Sequence, residues 1–404
     1  MPGVRRHTAR LIHMLAPKMA RLSIKIALWL ILPLVCVEFL MIVLDPYLFK
    51  GFYQYDPDLG FRVRAYYHNS DGTLTNQFGF NDQDYSLQKT PGTFRILVVG
   101  DSFGWAGGRE GNYTALLERM FESHYGYHKI DVINAGYPMT HTAEQLAMLK
   151  KYGLRYNPDL VILGFFVGND FLDADPNRKR IIVNGLYVDI GKRREHRILG
   201  YPLISRSRVR LFIEQKYRVL KELREAGRES ATSNLPREQG TFSEETFLNI
   251  ERAHLEFSNI NSFRGGRFQN NINYILQSIS EMDGLLKSRN MRFIVAIYPD
   301  EFQVDRNLLG TIFGKFGLSP ENYDTNLAQT VLKSFLKSKG IPYIDLLDVF
   351  KAEGEQRSLY LLRNTHWNGA GNQLAADILY LEIVKQLDKI NSQSEAKMNL
   401  YGVR

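Results

Sequence analysis

A serine stands at the centre of the stretch Gly100-Asp101-Ser102-Phe103-Gly104, and a histidine stands far along the chain in Asn364-Thr365-His366-Trp367-Asn368. Between them lie Gly136 and the run Gly168-Asn169-Asp170. A serine hydroxyl attacks a carbonyl only when a base takes its proton, and the developing oxyanion needs hydrogen-bond donors aimed at it. Ser102 has the setting of the nucleophile and His366 that of the base. The backbone N–H groups of Ser102 and Gly136 and the side-chain amide of Asn169 are three candidate donors. A glycine suits position 136 because a Cβ would crowd a substrate, and an amide suits 169 because it donates without titrating. Asp101, Asp170, Trp367 and Asn368 flank these positions as candidate substrate-binding residues, with the Trp367 ring suited to a sugar face. The plainer account makes Ser102 a helix cap and His366 structural. What decides between the accounts is whether the loops meet.

The elements that must carry these residues alternate in type. Ile96-Leu97-Val98-Val99 is an unbroken apolar run, the pattern of a strand buried on both faces of a parallel sheet. Further strands are predicted over 129–134, 160–166, 292–298 and 341–345, with helices over 113–121, about 142–153 and about 370–388. The fold class is therefore α/β, a flavodoxin-like three-layer α/β/α arrangement with a five-stranded parallel sheet. If the strand order reverses between the first and third strands, the loops bearing Ser102, Gly136 and Asn169 meet at the carboxyl edge, where open α/β sheets bind ligands.

Composition bounds the rest. Net charge is +8, but Arg5, Arg6, Arg10, Lys18, Arg21 and Lys25 all precede the first acidic residue, Glu38, so the basicity does not point to nucleic acid. Residues 26–44 hold one charged residue in nineteen, close to the ~20 needed to cross a bilayer. Basic residues before it and Asp45 after it orient residues 1–25 to the cytoplasm and export the remainder. The expectation is one uncleaved transmembrane anchor with an extracytoplasmic domain. Glu38 within that span calls for protonation or for a partner helix, and so for a membrane protein partner. The single cysteine, Cys36, lies in the same segment, which leaves the exported part without disulfides. The predicted organisation is a basic tail over 1–25, an anchor over 26–44, and a connector with a small β element over 45–93, turning at Asp71-Gly72. A main domain follows over 94–390, with an insertion at about 175–270 and a tail over 391–404. Within the insertion, Val209 to Leu223 has amphipathic helical spacing. No metal-ligand cluster, Walker loop or dinucleotide fingerprint is visible, so no cofactor or metal is expected.

The blocks Gly100-Asp101-Ser102-Phe103, Gly136, Gly168-Asn169-Asp170 and Thr365-His366-Trp367-Asn368-x-x-Gly371 resemble, in order, the four blocks of the SGNH (GDSL-type) hydrolases. The resemblance runs over about residues 92–390. It implies that Ser102 is the nucleophile, that Gly136 and Asn169 are oxyanion donors with the Ser102 N–H, and that His366 is the general base. The anchored form with a long insertion is similar to a bacterial membrane-tethered branch that includes polysaccharide O-acetyltransferases and acyl esterases, which implies an acylated glycan substrate. One position departs from the family pattern. The usual aspartate two or three residues before the histidine is replaced by Asn364 and Arg363. An amide can hold the ring but cannot stabilise an imidazolium by charge, and in serine proteases the Asp-to-Asn change costs about 10⁴ in rate. Asp345, Asp348, Asp170 and a main-chain carbonyl are the alternative orienting groups. Three readings follow: a serine esterase acting on O-acyl, foremost O-acetyl, groups of an exported glycan; an O-acetyltransferase using the same Ser–His site; and a weakly active or inactive glycan-binding scaffold.

Overall fold

The computed structural model describes residues 51–54, 56, 59–68, 74–174 and 240–400, with shorter stretches inside 25–44, 180–189 and 207–224. Five strands form one parallel sheet: β1 (Phe94–Gly100), β2 (Ile130–Gly136), β3 (Leu160–Phe166), β4 (Arg292–Tyr298) and β5 (Tyr343–Asp345). Their order is β2-β1-β3-β4-β5, so the chain reverses direction across the sheet at β1. β1 pairs with β2 through Ile96 and Val132 and with β3 through Ile96 and Leu160. Every residue of β2 and β3 is buried, with both faces of the sheet covered; β3 is wholly apolar, while β2 also buries Asp131 and Asn134. The expected doubly wound five-stranded fold is therefore present.

The helices that cover the sheet begin and end on local signals. α1 (Tyr113–Tyr125) starts where Asn112 Oδ1 accepts the N–H groups of Thr114 and Ala115. α2 (Thr142–Lys151) follows β2, α3 (Glu244–His254) is capped by the Ser243 hydroxyl, and α4 (Gln269–Lys287) leads into β4. α5 (Arg306–Phe316) and α6 (Leu327–Lys339) both end on left-handed glycines, Gly317 and Gly340. α7 (Gly369–Leu400) packs against α1, with Phe121 and Tyr380 ring centroids 5.0 Å apart. It runs on through the segment expected as a separate tail from residue 391, because no breaker interrupts it before Leu400.

At the far end of β1 and β2 a buried ion pair fixes their register. Arg95 Nε donates to Asp131 Oδ2 at 2.9 Å, both side chains are almost fully enclosed, and Arg95 Nη1 donates to the Tyr156 carbonyl at 3.0 Å. The connector does more than join. Asn76 Oδ1 accepts the N–H groups of Phe78 and Phe80, and Phe80 then packs edge-on against Tyr137 at 5.3 Å. Asp82 accepts the Asn134 N–H at 2.7 Å at the end of β2. Within the connector, His68 and Leu74 bridge antiparallel, and the predicted Asp71-Gly72 turn falls outside the described residues, as does nearly all of the basic tail.

The chain divides into two compact units, residues 1–55 with 179–232, and residues 56–178 with 233–404. The expected insertion boundary at about 270 is corrected accordingly: 233–270 belongs to the sheet-bearing unit, since α3 packs its apolar Phe247 and Leu248 there against Phe302 and Ile312. In the other unit, Arg180–Val183 and Leu186–Asp189 form an antiparallel hairpin. Among the described residues no helix is long and apolar enough to cross a membrane. Residues 28–41 are helical, with Trp29, Leu30 and Phe39 exposed. The Glu38 carboxylate accepts from the Ser207 hydroxyl at 2.7 Å and from the N–H groups of Arg208 and Val209, capping the helical stretch 208–214. Glu38 thus finds inside its own chain the partner that the sequence sought elsewhere.

Removing Asp131 would leave the Arg95 guanidinium buried and unpaired. Asp131→Ala is expected to lower unfolding free energy by about 3–5 kcal/mol in denaturant titration, and a loss within ~0.5 kcal/mol would contradict the buried pairing.

Candidate active site

β1 ends at Gly100, side by side with Gly136 at the end of β2. The chain then turns through Asp101, whose Oδ1 accepts the Phe103 N–H at 3.0 Å, into a short 3₁₀ turn over Ser102–Trp105. Ser102 is its first residue, so its N–H has no partner within the turn. The turn lies so close to β2 that a Cβ on Gly136 would stand 2.9 Å from the Asp101 carbonyl oxygen and 3.1 Å from Gly104 Cα. Gly136 is therefore needed by the backbone of the nucleophile turn, and not, as expected, to make room for substrate. Its N–H donates to Asn134 Oδ1 at 3.0 Å, while Asn134 Nδ2 donates to the Gly104 carbonyl at 2.7 Å. Asn134 thus pins the turn from beneath, and an oxyanion role for the Gly136 N–H would require it to leave that bond.

His366 arrives on the loop before α7 and completes a hydrogen-bonded chain. Its Nε2 is 2.7 Å from Ser102 Oγ, and its Nδ1 is 2.6 Å from Asn364 Oδ1. The amide orientation follows from chemistry, because the His366 backbone N–H, 3.1 Å from the same Oδ1, can only donate. Asn364 Nδ2 points the other way and donates to Thr241 Oγ1 at 2.9 Å. An oxygen facing Nδ1 places the ring proton there and leaves Nε2 free to accept from the serine. The alternatives are otherwise engaged. Asp345 is bound to Lys333 at 2.7 Å, and Asp348 is exposed on the helical turn after β5. Burial, with a smaller contribution from the nearby His254, lowers the His366 pKa to about 4. The arrangement can move a proton from a serine hydroxyl to a neutral imidazole and hold that imidazole in one tautomer.

β3 delivers Asn169. It stands at the start of the short helix Asp170–Asp173 but makes no side-chain capping bond, and its buried Oδ1 has no partner. Of the candidate substrate-binding residues, four are corrected. Trp367 is fully buried, with its ring 4.6 Å from Phe103, 4.8 Å from Tyr298 and 5.1 Å from Phe350, so it is a core residue. Asn368 is spent on its own loop, donating to the carbonyls of Ser358 and Tyr360 and accepting the Gly371 N–H. Asp101 and Asp170 are buried among the loops. Burial pushes the Asp101 carboxyl up to about 7. Burial first and then the Asp101 charge hold Asp170 well above the usual range.

Two residues near the site carry no sequence signal. Thr241 follows the insertion, and the segment holding it bonds to the His366 loop from the Thr241 N–H to the Leu362 carbonyl at 3.2 Å. His254 lies at the end of α3, 2.8 Å from Asp300 through Nδ1, with its ring against Phe166. Its partner Asp300 is 46 residues further on.

Residues 263–401 match the family described as SGNH hydrolase-like domain, acetyltransferase AlgX. That span contains Asn364 and His366 and excludes Ser102, and with it the SGNH resemblance of the sequence stands. No curated protein matches the chain. Solved structures similar to it include an acetyl xylan esterase, AlAXEase, at 14% identity over 72% of this chain and 100% of that one with TM-score 0.39. Another is a catalytic mutant of Axe2, an acetylxylan esterase from Geobacillus stearothermophilus, at 11% identity over 73% and 96% with TM-score 0.38. A lipase/acylhydrolase from Enterococcus faecalis aligns at 14% identity over 73% and 97% with TM-score 0.34.

Trp367→Ala is expected to cost roughly 3–5 kcal/mol of stability as a core deletion, measured by denaturant unfolding. Unchanged stability with a raised KM would return the ring to a substrate-binding role.

Proposed function

We propose that this SGNH-type domain is a serine acyl-ester enzyme that removes O-acetyl groups from an exported glycan through a Ser102 acyl-enzyme. The observation that carries the reading is the hydrogen-bonded chain from Ser102 through His366 to Asn364 at the carboxyl edge of the sheet. Ser102 Oγ attacks the ester carbonyl as its proton passes to His366 Nε2. The Oγ–C bond forms, the ester C–O bond breaks, and the departing sugar oxygen takes the proton from His366. Water, activated by the same nitrogen, then attacks the acyl-enzyme and releases acetate. The Ser102 N–H and the Asn169 amide supply oxyanion donors, joined by the Gly136 N–H if its bond to Asn134 opens.

Transfer to a glycan hydroxyl differs only in the second nucleophile, and the match to an acetyltransferase family over residues 263–401 favours keeping it as the second reading. Membrane anchoring through residues 26–44 is part of the proposal. The apolar side chains exposed along 28–41 support it. A domain so anchored faces the extracytoplasmic side by the distribution of basic residues.

The full-length chain, incubated with an activated acetyl ester, is expected to release acetate and to form an acetylated Ser102 detectable by mass spectrometry. Ser102→Ala is expected to lower the rate by about 10³-fold or more. Acetylated product in the presence of a glycan acceptor selects the transferase, and absence of any acyl-enzyme in the wild type selects the scaffold. Because His366 must be neutral to act, and its pKa is lowered to about 4 by burial, kcat/KM is expected to hold down to that region and fall below it. Asn364→Asp adds a charge that favours the imidazolium, so the acid limb is expected to move up by about one unit or more with a rise in kcat. An unmoved limb would mean that His366 is not the base.

A further inference from the structure

Glu251 and His254 stand one turn apart on α3 and so project from the same face of the helix. Asp300, in the loop that leaves β4, meets them. Glu251 and Asp300 are fully buried, while the His254 side chain keeps 12% of its surface exposed. His254 Nδ1 lies 2.8 Å from Asp300 Oδ2, and one donor atom from each of the three residues lies within 4.8 Å of the others. Glu251 has the Asp300 carboxyl and the Phe302 N–H beside it, and neither of its buried oxygens makes a well-formed hydrogen bond. What faces Glu251 is the second carboxyl, so the pair holds either a shared proton or a cation. Burial first, then the Asp300 charge, hold Glu251 well above the usual carboxylate range.

We propose that Glu251, His254 and Asp300 bind one divalent transition-metal ion, with zinc as its simplest representative, at a site apart from the Ser102 nucleophile. Two carboxylates and a neutral imidazole present two negative charges, so a doubly charged ion leaves the pocket neutral. The donors suit zinc, whose bonds to imidazole nitrogen and carboxylate oxygen run at about 2.0–2.2 Å. Tetrahedral ligands at that bond length stand roughly 3.4 Å apart, so loss of the proton between His254 and Asp300 need open their contact by only about half an ångström. The exposed edge of His254 gives an entry path. Supporting bonds are in place around Asp300: its Oδ1 accepts the Phe302 N–H at 3.4 Å, and its own N–H donates to Gln303 Oε1 at 3.0 Å.

The site would brace the loop that carries Asn169. Asp300 Oδ2 occupies the space where a Cβ on Gly168 would stand, 2.0 Å away. A metal ion on that oxygen would tie α3 to the loop from β4, against which Gly168 rests. Its role is to position, and no step of acyl transfer passes through it.

The test uses the full-length protein in detergent, stripped with EDTA and titrated with zinc alone, with bound metal counted after dialysis. One zinc per chain is expected. Glu251→Gln and His254→Gln are each expected to weaken binding by more than the roughly 10–100-fold that loss of a supporting hydrogen bond costs. X-ray absorption on the zinc-loaded wild type, which does not depend on variants folding, is expected to show one imidazole and otherwise oxygen ligands. No zinc uptake by the wild type would overturn the proposal and leave a proton shared between the carboxyls. Equal uptake by the variants, or a sulfur shell from Cys36, would overturn it as well. None of these readouts depends on esterase activity.

Discussion

The backbone N–H of His366 holds the amide oxygen of Asn364, and the chemistry of the site depends on that bond. An amide beside a catalytic histidine can face it with either end, and the two ends have opposite consequences. With NH₂ toward the ring, Nδ1 becomes the acceptor, the proton moves to Nε2, and the serine loses its base. This wrong tautomer is the physical reason that Asn in place of Asp is so damaging in serine proteases. Here the main chain has only a donor to offer, so the oxygen must face it, and the same oxygen then accepts a hydrogen bond from the Nδ1–H, with Nδ1 2.6 Å away. Thr241 receives the opposite end. Asn364 thus orients the ring without supplying a charge.

Burial sets the electrostatics around this chain in one direction. It lowers the His366 pKa to about 4 and raises the carboxyls of Asp101 to about 7 and Glu301 to about 9. These are the same effect acting on groups of opposite charge type, since low dielectric disfavours any ion. A base kept neutral by desolvation is available over a wide pH range. In the proposed reaction the cost falls on the transition state, where the imidazolium would form without a carboxylate partner and preorganised N–H donors would carry more of the stabilisation.

Rigidity comes from close approach and from aromatic packing. Phe103 follows the nucleophile directly and touches both His366 and Trp367, with ring centroids at 5.1 and 4.6 Å. The residues after Ser102 and His366 thus pack on one another, and the serine and imidazole cannot drift apart without opening the core. Asn134, Asp82 and Asn81 tie the other side of the turn to β2 and the connector. The connector therefore belongs to the architecture of the site even though it contributes no reacting group.

Local pattern in the sequence determined the strands, their parallel arrangement and the nucleophile turn, because an apolar run between turn residues has few ways to fold. The same pattern marked Ser102, Asn169 and His366 as loop residues at one edge of a sheet. Tertiary structure alone decided what those residues touch. Trp367 is a natural sugar platform by its place beside His366, yet it bridges to Tyr360 in extended backbone, where successive side chains face opposite ways, and it lies inward among Phe103, Tyr298 and Phe350. Gly136 could be read as a small residue, but only the packed backbone shows that Asp101 and Gly104 require it. Thr241, His254 and Asp300 come from segments whose spacing carries no period, so nothing local could join them to the site. Types and elements are properties of short stretches of chain. Partners depend on which distant stretches the fold brings together, as with Ser102 and His366, 264 positions apart.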